Sequence, residues 1–296
     1  MSDESSLRLT LQAACHAVGL DASGATVIRL GENAIFRLPS SVVVRVARPG
    51  QQAAAQREVS LARWLQSVGI AAVAVLPELA QPVVIEDRAV TFWAELPPHH
   101  HGSPAQVARA LQQLHALPLP PPDVAIGKLD PFVRLQQRIE MAMTVEASDR
   151  EWLAERLDVL RGAWATLAPE LPTCVVHGDA WAGNVIATDD GQVVFLDLER
   201  CSVGPPEWDL TSTAVRFTTY GGIARRAYDD FAEVYGRDVL EWEHFELLRD
   251  IRELRMTCFV AQQAAVDARF TAEARNRVGC LQGKRGPRPW PWKPVA

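Results

Sequence analysis

Residues 175–184 read VVHGDAWAGN and residues 193–200 read VVFLDLER. Each opens as a short apolar run of strand-forming residues and ends in polar chemistry: His177, Gly178 and Asp179 in the first, Asp197 and Glu199 in the second. Thr188-Asp189-Asp190-Gly191 between them has the composition of a turn, so a hairpin is expected. A pairing centred on Asp190 sets Asn184 opposite Leu196, one residue from Asp197. Asn184 and Asp197 then meet at one end of the hairpin, and Asp179 lies on the loop that leads into it. Hard divalent cations take oxygen ligands, and one amide with one or two carboxylates leaves coordination positions for phosphates and water. A further carboxylate held nearby suits removal of a proton from an acceptor hydroxyl. The arrangement is a layout for phosphoryl transfer.

The rest of the chain is compatible with such an enzyme. With 296 residues, 48% hydrophobic and 22% charged, it has enough apolar material for one large domain or two lobes. No apolar run approaches the ~18 residues of a membrane helix, and MSDESSLRLT lacks the order of a signal peptide, so a cytoplasmic protein without a membrane partner is expected. Five cysteines without C-x-x-C spacing argue against a disulfide framework or a zinc site. A net charge of −6 disfavours a nucleic-acid partner, because tracking phosphates needs a clustered basic surface. Composition does not give the oligomeric state.

Secondary-structure signals change once along the chain. Strands are expected at 26–30, 36–38, 42–47, 82–86 and 89–94, with a helix over 51–68. The stretch Leu96-Pro97-Pro98-His99-His100-His101-Gly102 reads as a solvated linker. Beyond it, helices are expected at 104–117, 131–145, 149–167, 222–235 and 242–268, interrupted only by the hairpin. The expected fold is α/β (α+β) with two lobes: a nucleotide-binding lobe over 1–95, a hinge over 96–102 and a helical lobe over 103–296. The tail, GKRGPRPWPWKPVA, should be extended, either wrapping the helical lobe or loose.

The His177-Gly178-Asp179 triplet, the D-x-x-x-x-N step to Asn184 and Asp197-Leu198-Glu199 resemble the aminoglycoside phosphotransferase family, whose fold is similar to that of protein kinases. LQQLHALP (111–118) and GPPEWDL (204–210) extend the resemblance over most of the chain. The resemblance implies that Asp179 is the catalytic base and that Asn184 and Asp197 hold Mg²⁺, with Glu199 assisting. It also implies that Asp209 buttresses the catalytic loop. His177 reads as a hydrogen-bonded brace for that loop, and Trp181 either lines the acceptor site or packs.

The small lobe departs from the kinase pattern. No lysine precedes residue 128, and the basic residue inside the strand VVVRV is Arg45, which by position takes the role of the phosphate-binding lysine. Glu58 on the next helix is its expected partner. The turn Gly31-Glu32-Asn33 would cover the phosphates, and Phe92 to Leu96, ending in Glu95 and Leu96, would offer backbone groups to adenine. Gly178 stands where protein kinases controlled by activation-loop phosphorylation carry an arginine, which favours a small-molecule acceptor.

These readings converge on a kinase that uses ATP or GTP with Mg²⁺ to phosphorylate a hydroxyl of a small molecule. An antibiotic is the leading acceptor. A sugar, amino alcohol or amino acid is the alternative, and a non-catalytic nucleotide-binding module is the alternative of another class. Glu243, Glu246, Asp250 and Glu253 share one helix face. That stripe either binds the ammonium groups of a cationic antibiotic, with Asp250 and Glu253 as its contacts, or is a solvated face neutralised by Arg249 and Arg252.

Overall fold

The computed structural model describes residues 3–31, 33–167 and 172–293. Its first elements are α1 (Asp3–Ala17), β1 (Thr26–Leu30), β2 (Ala34–Leu38), β3 (Val42–Val46), α2 (Gln52–Ser67), β4 (Val83–Ile85), β5 (Arg88–Ala94) and β6 (His99–His101). There follow α3 (Pro104–His115), α4 (Leu135–Met141), α5 (Ala147–Leu167), β7 (Cys174–Val176), β8 (Val185–Thr188), β9 (Val193–Phe195) and β10 (Ser202–Gly204). The chain continues with α6 (Glu207–Thr218), α7 (Arg225–Tyr235), α8 (Phe245–Val266) and α9 (Thr271–Leu281).

Two compact units result. The first comprises Met1–Gly102, Pro118–Gly127 and Ala182–Cys201, and the second Ser103–Leu117, Lys128–Trp181 and Ser202–Ala296. The chain thus passes between units several times, because the Asn184–Asp197 hairpin belongs to the first.

In the first unit an antiparallel sheet has the order β1-β2-β3-β5-β4. Alternation does the positioning: Val42, Val44 and Val46 of β3 are buried, which turns Arg45 to the opposite face. Helix α1, not expected from the sequence, lays Leu7, Leu11, Ala14 and Cys15 against Phe36, Val44 and Phe92. Its apolar residues recur at helical spacing, a signal masked by the polar start of the segment. The expected linker at 99–101 is in fact strand β6, paired with β8 in a three-stranded sheet β6-β8-β9. Three histidines in succession extend readily when a hairpin edge offers unpaired backbone groups.

Residues 71–76 join the two sheets. Phe195 N donates to Ala71 O (3.0 Å) and Val73 N to Phe195 O (2.9 Å), while Ala94 N donates to Ala74 O (2.8 Å) and Leu76 N to Phe92 O (3.3 Å). The hairpin that carries Asn184 and Asp197 is thereby fixed to the sheet that carries Arg45.

The second unit is helical around a core that includes Leu135, Leu153, Leu157, Trp208, Leu248, Ile251, Leu254 and Val278. The helix expected over 131–145 is shortened to α4, and α8 starts at Phe245 after a 3-10 turn at Val239–Glu241. Helices α6 and α9 were not expected, and β7 and β10 form a two-stranded sheet within this unit. The described part of the tail packs rather than hangs free: Trp290 and Trp292 are buried beside Cys280, and Trp290 N donates to Thr219 O at 2.7 Å, while residues 294–296 lie outside the described residues.

Candidate active site

The hairpin register is the one required for Asn184 and Asp197 to meet. Val185 faces Phe195, Ile186 faces Val194, and Leu196 N donates to Asn184 O at 2.8 Å. Immediately after β9 the backbone turns at Asp197, which adopts a left-handed conformation (φ 51°, ψ 68°). A non-glycine residue pays for that conformation, and such residues concentrate at functional sites. A 3-10 turn then carries Glu199.

Arg45 sits mid-sheet, between Ile35 and Thr91. Its Nη1 donates to Glu58 Oε1 (2.8 Å) and Oε2 (2.6 Å), and its Nη2 to Glu199 Oε2 at 3.3 Å. With the Asn33 amide turned so that its oxygen faces the guanidinium, that oxygen accepts from Nη2 (2.8 Å) and Nε (3.1 Å). The guanidinium expected to bind phosphate, with Glu58 as its partner, is therefore held by three protein side chains. Of these contacts, the one to Glu199 is the longest.

Charge balance in this cluster is uneven, with Glu58, Asp197 and Glu199 set against one guanidinium. Burial pushes the Glu58 carboxyl up to about 7; Arg45 opposes the rise, and the charges of Asp197 and Glu199 add to it. On Arg45, burial works against the charge, but Glu58, Glu199 and Asp197 outweigh it and raise the pKa above the ordinary arginine value. A surplus of carboxylate charge suits an oxygen-preferring divalent cation. Among the described residues no three His, Cys, Asp or Glu side chains converge as a closed metal site would require.

The remaining expectations in this unit fare unequally. A side chain at Gly31 would meet only the flexible end of Arg29, so space does not demand glycine there, and Glu32 lies outside the described residues. In the segment expected to contact adenine, Phe92 N donates to Gln81 Oε1, Ala94 N to Ala74 O and Glu95 N to Ser41 O. The Glu95 carboxylate pairs with Arg37 at 2.6 Å. The Glu95 N–H is thus already used within the protein. Trp93 is core, its Nε1 donating to Thr91 Oγ1.

In the second unit, β7 delivers His177 into a loop held at several points. His177 N and Gly178 N donate to Asp209 Oδ2 (2.7 Å) and Oδ1 (2.8 Å), and Gly178 O accepts from Trp208 Nε1 at 2.8 Å. Gly178 has φ 82°, a conformation for which glycine is the natural residue. Asp179 N donates to His177 Nδ1 at 3.3 Å. Asp209 is fully buried, and burial alone would raise its carboxyl. The hydrogen bond and charge of His115, with the charges of His177 and Arg252, hold it below the ordinary value instead. His115 Nε2 lies 3.1 Å from Asp209 Oδ2, and its Nδ1 lies 2.8 Å from the Tyr235 hydroxyl.

Asp179 keeps 39% of its side chain exposed, and Arg252 Nη1 lies 3.7 Å from its Oδ1. Trp181 is 46% exposed. Of the acidic stripe, Glu243 lies before the start of α8 and, like Glu246, is exposed, whereas Asp250 and Glu253 are not part of an open field of one sign. Glu253 is 1% exposed and takes a bidentate pair from Arg288 (2.7 and 2.6 Å) and the Thr219 hydroxyl (2.7 Å). Asp250 pairs with Arg156 at 2.6 Å and with Arg249 at 3.3 Å. Arg252, expected to neutralise the stripe, turns instead toward Asp179 and Trp208. His115 and Trp208 lie in the segments 111–118 and 204–210, but no local pattern there gives them a role, and none links Arg252 to Asp179.

A comparison with curated protein sequences returns no match. Solved structures are similar over nearly the whole chain. An aminoglycoside phosphotransferase from Streptomyces rimosus is 22% identical with a TM-score of 0.63, covering 85% of this chain and 98% of that one. A choline kinase from Streptococcus pneumoniae is 14% identical with a TM-score of 0.64, covering 93% and 98%. A microcompartment-associated aminopropanol kinase is 16% identical with a TM-score of 0.69, covering 93% and 96%. At such identities the likeness shows the kinase-like fold. The model of the phosphotransferase enzyme family matches residues 15–248, most of the chain, and the protein belongs to that family of small-molecule phosphotransferases.

Proposed function

We propose that the protein transfers the γ-phosphate of ATP or GTP to a hydroxyl of a small molecule, with Asp179 accepting the hydroxyl proton. The observation that carries this reading is the construction around Asp179. The buried Asp209 and Trp208 hold the backbone of the two preceding residues, while the Asp179 side chain stays accessible. A general base needs a fixed backbone and an exposed carboxylate. Asn184 and Asp197, with Glu199, would hold Mg²⁺, which supplies charge neutralisation on the phosphates. Arg45 would bind phosphate by giving up its longest contact, the one to Glu199, while Glu58 retains the guanidinium. Leu96 would contact adenine, and Asn33 with Gly31 would lie over the phosphates. In this division the first unit takes the nucleotide and the second supplies the base and the acceptor site.

For the acceptor, the pairing of Asp250 and Glu253 within the protein weakens the argument for a polyamine, and Trp181, two residues after Asp179, offers an exposed aromatic surface. Similar structures include both antibiotic kinases and kinases of amino alcohols. An antibiotic that stacks on Trp181 is the acceptor we put first, and an amino alcohol the second. The test is nucleotide turnover with Mg²⁺ over a panel of antibiotics, amino alcohols, sugars and amino acids, with Asp179→Asn as control. Acceptor-dependent release of nucleoside diphosphate that disappears in the control is expected. A protein that binds nucleotide but phosphorylates nothing on the panel would instead favour a non-catalytic binding module.

A further inference from the structure

We propose that Arg252 is a positioning residue for Asp179, holding its carboxylate toward the acceptor by charge and through the Trp208 ring. The inference rests on the reading of Asp179 as the base. Arg252 lies on α8, far along the chain from the catalytic loop, and is 6% exposed. Burial pushes its pKa down, and the charges of Asp179 and Asp209 push it back up. A guanidinium loses its proton so reluctantly that it stays charged even so. A buried charge is costly unless paired, so its surroundings define its purpose.

Those surroundings converge on one loop. Nη2 donates to Trp208 O at 2.7 Å, and the guanidinium carbon lies 4.2 Å from the centroid of the Trp208 ring. The same ring donates its N–H to Gly178 O, one residue before Asp179. Nε is buried without a hydrogen-bond partner. Both oxygens of Asp209 are engaged by His177, Gly178 and His115, so the carboxylate toward which Nη1 is turned is that of Asp179, at 3.7 Å. That separation makes an ion pair without a hydrogen bond between the two groups, which restrains the carboxylate by charge. If Arg252 merely tied α8 to α6, the Trp208 carbonyl and ring would suffice, and no donor would need to face Asp179.

A double-mutant cycle in turnover separates the two roles. The variants are Asp179→Asn, Arg252→Met and their combination, assayed by single turnover at saturating nucleotide and acceptor, with thermal unfolding recorded for each. Arg252→Met should lower kcat by ~10-fold or more with little change in either Michaelis constant, and it should have almost no further effect once Asp179 is Asn. Arg252→Lys, which keeps the charge and fits the site more gently, should lose less, and its loss should also vanish in the Asp179→Asn background. This second cycle decides the matter if Arg252→Met does not fold. An equal fold-loss in both backgrounds would overturn the positioning role and leave a purely structural arginine. Near wild-type turnover of Asp179→Asn alone would instead remove the base reading on which the inference stands.

Discussion

The carboxylate of Asp209 accepts the backbone N–H of Gly178 at 2.8 Å, one residue before Asp179 and 31 positions earlier in the chain. Its other oxygen takes the N–H of His177. Two buried backbone donors thus depend on one side chain, and the conformation of the loop depends on both. Asp209→Ala would strand them, at a cost of roughly 1–3 kcal/mol for each unsatisfied donor. Thermal or denaturant unfolding should show a loss of that order, together with a fall in kcat. Unchanged stability would mean that water or a neighbouring group replaces the carboxylate. Because the Asp209 carboxyl is held below its ordinary value, its stabilising effect is present above the ordinary carboxylate range and is lost as pH falls through its folded value. Asp209→Asn should therefore flatten the acid side of the stability profile.

Asp179→Asn should lower turnover by at least ~10²-fold, the scale of general-base catalysis, because the amide cannot accept the hydroxyl proton. Nucleotide affinity should hardly change, since the groups proposed to bind nucleotide lie elsewhere in the chain. Single-turnover assay and calorimetry together check the split, and a large loss of nucleotide affinity would point to a binding role instead.

Arg45 serves two purposes in the proposed reading, so its removal should register twice. Arg45→Ala should weaken nucleotide binding by roughly 1.5–3 kcal/mol, the range for hydrogen bonds to charged groups. It should also destabilise the protein, because Glu58 is left buried without the cation that opposes the rise of its carboxyl and must then take up a proton. Arg45→Lys should recover part of the binding, since a point charge cannot reproduce the fork. Equal ATP affinity of the wild type and a folded Arg45→Ala would remove it from the phosphate site.

Glu58 offers a test in pH. Burial, together with the charges of Asp197 and Glu199, raises its carboxyl to about 7 in the folded protein against an ordinary 4.5. The folded state thus holds a proton that the unfolded chain gives up earlier. Its stabilising contribution is complete below the ordinary value and is lost as pH rises through about 7. Wild-type stability should therefore fall relative to Glu58→Gln between roughly pH 4.5 and 7, and run parallel to it at higher pH. Parallel curves throughout would mean that Arg45 alone compensates the buried charge. Saturating Mg²⁺ should reduce the difference if Asp197 and Glu199 bind it, because their repulsion of Glu58 is then screened.

Legibility in the sequence followed the locality of the interaction. The hairpin could be registered because Asp189-Asp190-Gly191 fixes its turn, and a period of two then determines every pair back to Asn184 and Leu196. Arg45 and Glu58 were readable as partners because alternation leaves one basic side chain in the strand and the helix that follows is adjacent. The segment 71–76 was unreadable: its hydrogen bonds go to β9 and β5, at distances in sequence that no local pattern encodes. The fate of α8 was obscured for a related reason. Periodicity shows which residues share a helix face but not what will cover that face, and here Arg288 comes from a tail whose path no local pattern decides.

That cover yields the last prediction. In a cleft of exposed carboxylates, a cationic acceptor would be captured electrostatically, and removing Asp250 would raise its Michaelis constant in a salt-dependent way. Here Asp250 already faces Arg156, Arg249 and Arg288, and Glu253 is buried under Arg288 and the Thr219 hydroxyl. The negative charge is used internally, so Asp250→Asn should leave the acceptor Michaelis constant within about twofold, consistent with the small worth of a part-exposed ion pair, and added salt should not change the ratio. Trp181→Ala should instead raise it by about tenfold if an aromatic or apolar part of the acceptor stacks there, since such contacts are worth about 0.5–1.5 kcal/mol beyond the area they bury. The opposite pattern, with a salt-sensitive dependence on Asp250 and indifference to Trp181, would return the cationic antibiotic to first place. It would also require Arg288 and the tail to move aside when the acceptor binds, which protection of the 283–293 backbone from hydrogen exchange would report directly.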